Sequence, residues 1–333
     1  FISIPLYNDH QVPFIKVICT IYETYIKTID THTKSPILTT SKQNEDIQMK
    51  TTDLQQHVTD QIVAILESGT SPWVKPWGST TESGMPHNHS TGKAYQGVNV
   101  LILWAAAAER GFTSSAWLTY KQAQAAGGQV RKGEKGTTIT FYKPIKVEKE
   151  GEEKTIPMMK TFTVFNVDQI DGLEVTTPEE QPKEFTADER TDAAVRLFEC
   201  YRERTGIQFS TGGDRAFYSP SHDAIQMPER EGFTKESGYA ATLLHEAVHS
   251  TGHRDRLDRL KDNSNKGYAF EELVAEIGAA FLCCDLGITN ELEQHASYID
   301  SWLKALKDDR TLIFKAAAKA SKAYELITKP DAE

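Results

Sequence analysis

The 333-residue chain is poor in cysteine, with four in all: Cys19, Cys200, Cys283 and Cys284. Adjacent residues on a helix neither share one metal ion nor readily bridge each other, so Cys283 and Cys284 read as core. No disulfide framework is implied, which suits a cytoplasmic protein. Long apolar runs are also missing. None approaches the roughly 18–20 residues of a membrane helix, so no membrane partner is expected. Phe1 to Tyr25 is mildly apolar, but Asp9, Lys16 and Glu23 interrupt it and no small-residue cleavage pattern follows. It is not read as a signal peptide. There is no internal repeat, no long low-complexity tract, and no zinc knuckle, helix-turn-helix spacing or RNP motif. No small-molecule cofactor is expected.

What remains is an ordinary globular composition, 39% hydrophobic and 25% charged, in a chain long enough for two domains. The net charge of −10 is unevenly spread. Residues 49–150 hold 11 Lys and Arg against 8 Asp and Glu, whereas residues 185–333 hold 19 against 26. A polyanionic partner therefore belongs to the first half.

Chemistry concentrates in Thr242-Leu243-Leu244-His245-Glu246-Ala247-Val248-His249-Ser250-Thr251-Gly252. Ala240, Leu243, Leu244, Ala247 and Val248 recur at the spacing of one buried helix face. His245 and His249, four apart, project from one side about a turn apart, as two ligands of a single zinc ion must. Glu246, beside the first, is placed to take a proton from water. Two histidines need a third protein ligand. Phe270-Glu271-Glu272-Leu273-Val274-Ala275-Glu276-Ile277 reads as a second helix on which Glu272 and Glu276 share a face. One can ligate while the other accepts a hydrogen bond from a ligand histidine. H-E-x-x-H followed by E-x-x-x-E resembles the gluzincin metallopeptidases, and that resemblance implies Glu272 as ligand and Glu276 as support. H-E-x-x-H-x-x-G is also how metzincins begin, which keeps Asp255 and His253 as alternatives. However, no methionine follows Met227 to form a metzincin Met-turn. Glu276 and Glu271 are further alternatives, or simply solvated carboxylates.

In chain order, residues 1–48 read as an extension outside either fold, with Met49 as a natural start. A helix is expected over 52–67, a loop with Trp73 and Trp77 after it, and a helix within 95–108. A short helix from Trp117 to Ala126 should follow, then strands over 137–144 and 160–167 joined by a hairpin tip within 146–154. Pro178 and Pro182 among glutamates mark a linker over 177–184, between domains at 49–176 and 185–333. Further on come a helix over 187–204, a hairpin of 217–219 with 224–228, and a helical tail. The strand Gln226-Met227-Pro228 is expected at a sheet edge, where it could receive a substrate backbone.

The first half interleaves aromatic and basic residues: Trp73, Lys75, Trp77, Lys93, Tyr95, Trp117, Lys121, Arg131, Lys132 and Lys135. Such a set suits single-stranded nucleic acid, whose bases stack on aromatics while cations track phosphate. From Asp53 to about Glu174 the chain resembles the N-terminal single-stranded-DNA-binding domain of ArdC-type antirestriction proteins. The likeness lies in Pro72-Trp73, Pro76-Trp77, Tyr95-Gln96-Gly97-Val98-Asn99, Trp117-Leu118-Thr119-Tyr120-Lys121-Gln122-Ala123 and Gly127-Gly128-Gln129-Val130-Arg131-Lys132-Gly133-Glu134-Lys135-Gly136. From about Phe185 onward it is similar to the metallopeptidase-like domain of the same family, through Asp223-Ala224-Ile225-Gln226-Met227-Pro228 and the helix from Tyr239 to Gly252.

The expectation is thus an α+β protein with a mixed α/β single-stranded-DNA-binding domain. A mainly helical zincin-like domain with a small edge-strand sheet follows it. The resemblance implies plasmid-encoded protection of incoming conjugative DNA from restriction enzymes. The motif implies Zn2+, with Mn2+ as another ion the ligands suit. A protein substrate met at DNA is the enzymatic alternative, and a pure DNA-coating protein with a structural metal site is the non-enzymatic one.

Overall fold

The computed structural model describes residues 51–67, 84–149, 152–173, 186–262, 264–288 and 296–329. The extension over 1–48, the loop with Trp73, Lys75 and Trp77, and the linker expected over 177–184 lie outside the described residues.

The first half opens on helix α1 (Thr51–Glu67), which buries Val58, Ile62 and Leu66 at the expected spacing. Short strand β1 (His87–Asn88) and helix α2 (Val98–Arg110) follow. Next come β2 (Ala116–Thr119), α3 (Tyr120–Ala125), β3 (Gln129–Val130), β4 (Thr137–Lys149), β5 (Glu152–Asn166) and β6 (Ile170–Asp171). The main sheet has the order β1-β2-β5-β4, with β1 parallel to β2 and the other pairs antiparallel. β3 and β6 form a separate two-stranded ladder. Helix α2 lays Leu103 and Ala106 on Trp117, Ile139 and Val164 of the main sheet. Gly97, at φ 60°, turns the chain into α2 in a conformation that favours glycine.

Two sequence expectations are corrected here. The helix expected over 117–126 is strand up to Thr119. That threonine caps α3 by accepting from the Gln122 backbone N–H, while the Gln122 side chain returns to the Thr119 N–H, so the helix can start only at Tyr120. The hairpin tip expected over 146–154 is narrower, because the ladder of β4 and β5 continues to Lys149 opposite Glu152.

The second half begins with α4 (Ala187–Thr205), capped by a reciprocal Thr186–Glu189 pair and ended by Gly206 at φ 72°. A three-stranded sheet of β7 (Gln208–Thr211), β8 (Phe217–Ser219) and β9 (Ala224–Met227) follows, in the order β7-β9-β8. β9 is therefore central, parallel to β7 and antiparallel to β8. This corrects the expected edge role of the strand: Gln226 pairs with Ser210 on one side and Phe217 on the other, and Met227 pairs with Thr211 of β7. The strand that displaces it, β7, reads Gln-Phe-Ser-Thr and carries little apolar signal.

Helices α5 (Glu236–Ser250) and α6 (Asn265–Asp285) pack together, and α7 (Ala296–Asp308) and α8 (Leu312–Thr328) complete the half. The two central helices approach closely at Gly278, where a Cβ would lie 2.9 Å from both methyl carbons of Val248. One core runs through both halves: Val58, Leu101 and Trp104 belong to the same cluster as Leu244, Phe281, Leu306 and Ile313. The Trp104 and Phe281 rings meet edge-on at 5.6 Å. Thr59 donates to the Arg310 carbonyl at 2.8 Å, and the Gly97 N–H donates to Ser321 Oγ at 2.7 Å. Among the described residues no helix is long and apolar enough to cross a membrane.

Candidate metal centre

Helix α5 is buried along Ala240, Leu243, Leu244, Ala247 and Val248, which fixes the rotation of its other side. That side presents His245 and His249, with Nε2 atoms 3.1 Å apart. From α6, Glu272 brings Oε2 to 3.7 Å from His245 Nε2 and Oε1 to 3.5 Å from His249 Nε2. These three residues form a metal-capable group whose ligand atoms lie within 4.8 Å of one another. Ligands at roughly 2.0–2.2 Å around a tetrahedral ion sit about 3.3–3.5 Å apart, so the spacing fits one small divalent cation.

Electrostatics point the same way. Glu246, Glu271, Glu272 and Glu276 are 7%, 8%, 8% and 9% exposed. Buried carboxylates persist where they are paired or bind metal. Arg259, 3% exposed, is committed to Glu271. Burial opposes charging of the His245 ring, but Glu272, Glu276 and Glu246 outweigh it and raise its pKa to about 9. Burial likewise pushes the Glu272 carboxyl up, yet the two histidines facing it, His245 first, bring it below its ordinary value. The pocket is thus arranged to hold positive charge.

Behind the ligands, His249 Nδ1 faces Glu271 Oε1 at 3.3 Å. Arg259 donates to both oxygens of Glu271, from Nε to Oε2 at 2.8 Å and from Nη2 to Oε1 at 2.8 Å. It also donates from Nη1 to Thr251 Oγ1 at 2.6 Å and from Nη2 to the Val248 carbonyl. Glu271 thus backs His249, whereas the charge of Glu276 acts on His245, whose buried Nδ1 has no hydrogen-bond partner among the described residues. Successive helical residues point about 100° apart, and one step back from Glu272 faces the far side of His249. Sequence spacing alone could not choose between Glu271 and Glu276, because Arg259 comes from a loop that no period describes.

The alternatives at the third position stand elsewhere. His253 Nδ1 accepts from the Asp255 backbone N–H at 3.3 Å, and the Asp255 side chain is 73% exposed. Neither residue belongs to the three-ligand group. A second buried network braces the end of α5. Arg256 donates to the Ser250 carbonyl at 2.7 Å, to both oxygens of Asp223, and to the Tyr218 hydroxyl at 3.2 Å. Tyr218 in turn donates to Asp223 at 2.8 Å. Tyr268, one turn before Glu272, is 56% exposed.

The nucleic-acid residues separate into three groups. Lys93, Lys121, Lys132 and Lys135 are exposed. Arg131 is exposed but engaged, donating to Glu134 at 3.0 Å and to the Asp168 carbonyl at 2.5 Å. Tyr95 is half-buried against the core. Trp117 corrects the expectation of a stacking platform: it is 1% exposed and packs edge-on against Phe112 at 5.8 Å. The accessible aromatics are instead Tyr120, Phe141 and Phe162, at 43%, 52% and 46% exposed. Phe141 lies opposite Lys160 in the ladder and meets Phe162 edge-on at 6.2 Å.

Comparison with known proteins follows this division. Residues 52–165 match the family described as the N-terminal domain of anti-restriction factor ArdC. Residues 197–319 match a zincin-like metallopeptidase family. The chain is 48% identical to the antirestriction ArdC protein of the R388 plasmid, whose metal-free crystal structure it matches with a TM-score of 0.71 over 84% of this chain and 97% of that one. The chain belongs to the ArdC antirestriction family. The Mn(II)-bound crystal structure of the same R388 ArdC protein matches with a TM-score of 0.68, covering 84% and 98%. Another relative, uncharacterized protein y4eC of Sinorhizobium fredii (strain NBRC 101917 / NGR234), is 41% identical over 81% of this chain and 89% of its own length. Two Escherichia coli proteins named DNA primase TraC are 40% and 39% identical over 81% and 82% of this chain. The chain spans only 19% and 27% of their lengths.

Proposed function

We propose that this ArdC-family chain is an antirestriction protein that binds single-stranded DNA entering a host by conjugation and shields it from restriction enzymes. The observation that carries this reading is its 48% identity to R388 ArdC across 97% of that protein. The exposed lysines and the Phe141–Phe162 pair supply the charge and stacking surface such a ligand needs.

The second half carries a divalent-metal centre, with His245, His249 and Glu272 as ligands and Zn2+ or Mn2+ as the ion. A bound ion supplies Lewis-acid polarisation and acidifies water. Glu246, beside His245 in sequence, would serve as the base that takes up a proton from water at such a centre. This favours a second reading, a metallopeptidase brought to proteins on DNA.

One experiment separates the readings: restriction protection, single-strand binding and peptide hydrolysis, measured for wild type and Glu246→Gln. A protective role through DNA binding predicts that protection and DNA affinity persist in Glu246→Gln while any hydrolysis falls by about 10²-fold or more. Loss of protection with DNA binding intact would instead assign the role to proteolysis. A wild-type chain that neither binds single strands nor protects DNA would remove the first reading.

A further inference from the structure

We infer that Arg259 and Glu271 form a positioning pair that sets the tautomer and orientation of His249, and thereby the affinity of the centre for its ion. The inference rests on the metal-centre reading above. His249 can offer Nε2 to a cation only if its ring proton sits on Nδ1. Glu271 Oε1, 3.3 Å from Nδ1, is an acceptor for that proton. A carboxylate could swing away, but this one is held by both arms of Arg259. Arg259 is itself fixed to α5 through Thr251 Oγ1 and the Val248 carbonyl. The chain of contacts leaves α5 at Val248 and returns to it at His249, so the ring is locked relative to its own helix. His245 lacks an equivalent among the described residues, where its Nδ1 has no hydrogen-bond partner. The two imidazoles are therefore unequal: one arrives oriented, and the other is set by the ion and Glu272.

The test uses the full chain and Zn2+ as probe, comparing wild type, Glu271→Gln and Arg259→Lys. Removing an outer partner of a ligand histidine costs about 10- to 100-fold in metal affinity. A drop of that size is expected for Glu271→Gln and a smaller drop for Arg259→Lys, both with one site per chain. Thermal unfolding in chelator reports the fold separately. A purely structural pair would lower the melting temperature and leave the affinity of the folded protein unchanged, which would overturn the inference. Histidine 15N NMR of metal-free wild type gives a readout independent of any variant. His249 is expected as the Nδ1–H tautomer with a downfield, exchange-protected proton, and an Nε2–H tautomer would contradict the pair's role. A wild-type chain that takes up no zinc would overturn the centre and this inference together. Equal zinc affinity in wild type and Glu271→Gln would overturn the inference alone.

Discussion

Trp117 and Phe141 show how one residue type divides between core and surface. Trp117 is 1% exposed beneath α2, whereas Phe141 is 52% exposed beside Lys160. Trp117→Ala is expected to lower stability by about 3–5 kcal/mol, as loss of a buried aromatic does. Its DNA affinity, measured on the folded protein at low temperature, should stay near wild type. Phe141→Ala should do the reverse, weakening single-strand binding by about 1–3 kcal/mol with little change in unfolding. Equal DNA affinity in Phe141→Ala and wild type would remove Phe141 from the interface. Composition could not sort these residues, because burial depends on which face of β2 meets α2. By contrast, the pairing of His245 with His249 was legible from their spacing on one helix. Glu272 came from the resemblance to the gluzincins, with Asp255, His253, Glu276 and Glu271 open beside it. Glu271 could not be read this way, since its role is fixed by Arg259 from a loop.

Helices α5 and α6 are the elements that make the centre, and their separation is set at Gly278 against Val248. Gly278→Ala is expected to wedge them apart and cost about 1–3 kcal/mol in urea unfolding, the usual penalty of overpacking. Zinc affinity should fall with it, because Glu272 and the histidines stand on opposite helices. Adding Val248→Ala should restore part of both losses, and a stability equal to wild type in Gly278→Ala would contradict this packing. Helix positions were legible from their apolar period and caps, as Thr186 with Glu189 illustrates. Strands were less so. β7 has almost no alternation, and the side chains of Trp117 and Leu118 suit a buried helix as well as a buried strand. The central place of β9 was invisible for the same reason, because its second neighbour was the strand without a pattern.

Across the whole molecule the two family matches meet in one apolar core. Trp104 from the first match packs on Phe281 from the second, and the described residues between Thr51 and Ile327 form one compact unit. Thermal unfolding is expected as one transition, with tryptophan fluorescence and far-ultraviolet circular dichroism giving the same midpoint. Two resolved transitions would show that the halves are energetically separate. The charge asymmetry read from composition is a small basic excess over residues 49–150 and an acidic excess over residues 185–333. What composition could not show is that four of those acids are drawn inward around the histidines.

The centre itself admits a direct measurement. Crystals of the full chain soaked in Zn2+ or Mn2+ should show one anomalous peak within about 2.0–2.2 Å of His245 Nε2, His249 Nε2 and a Glu272 carboxylate oxygen. No peak there, or a peak held instead by His253 and Asp255, would contradict the account.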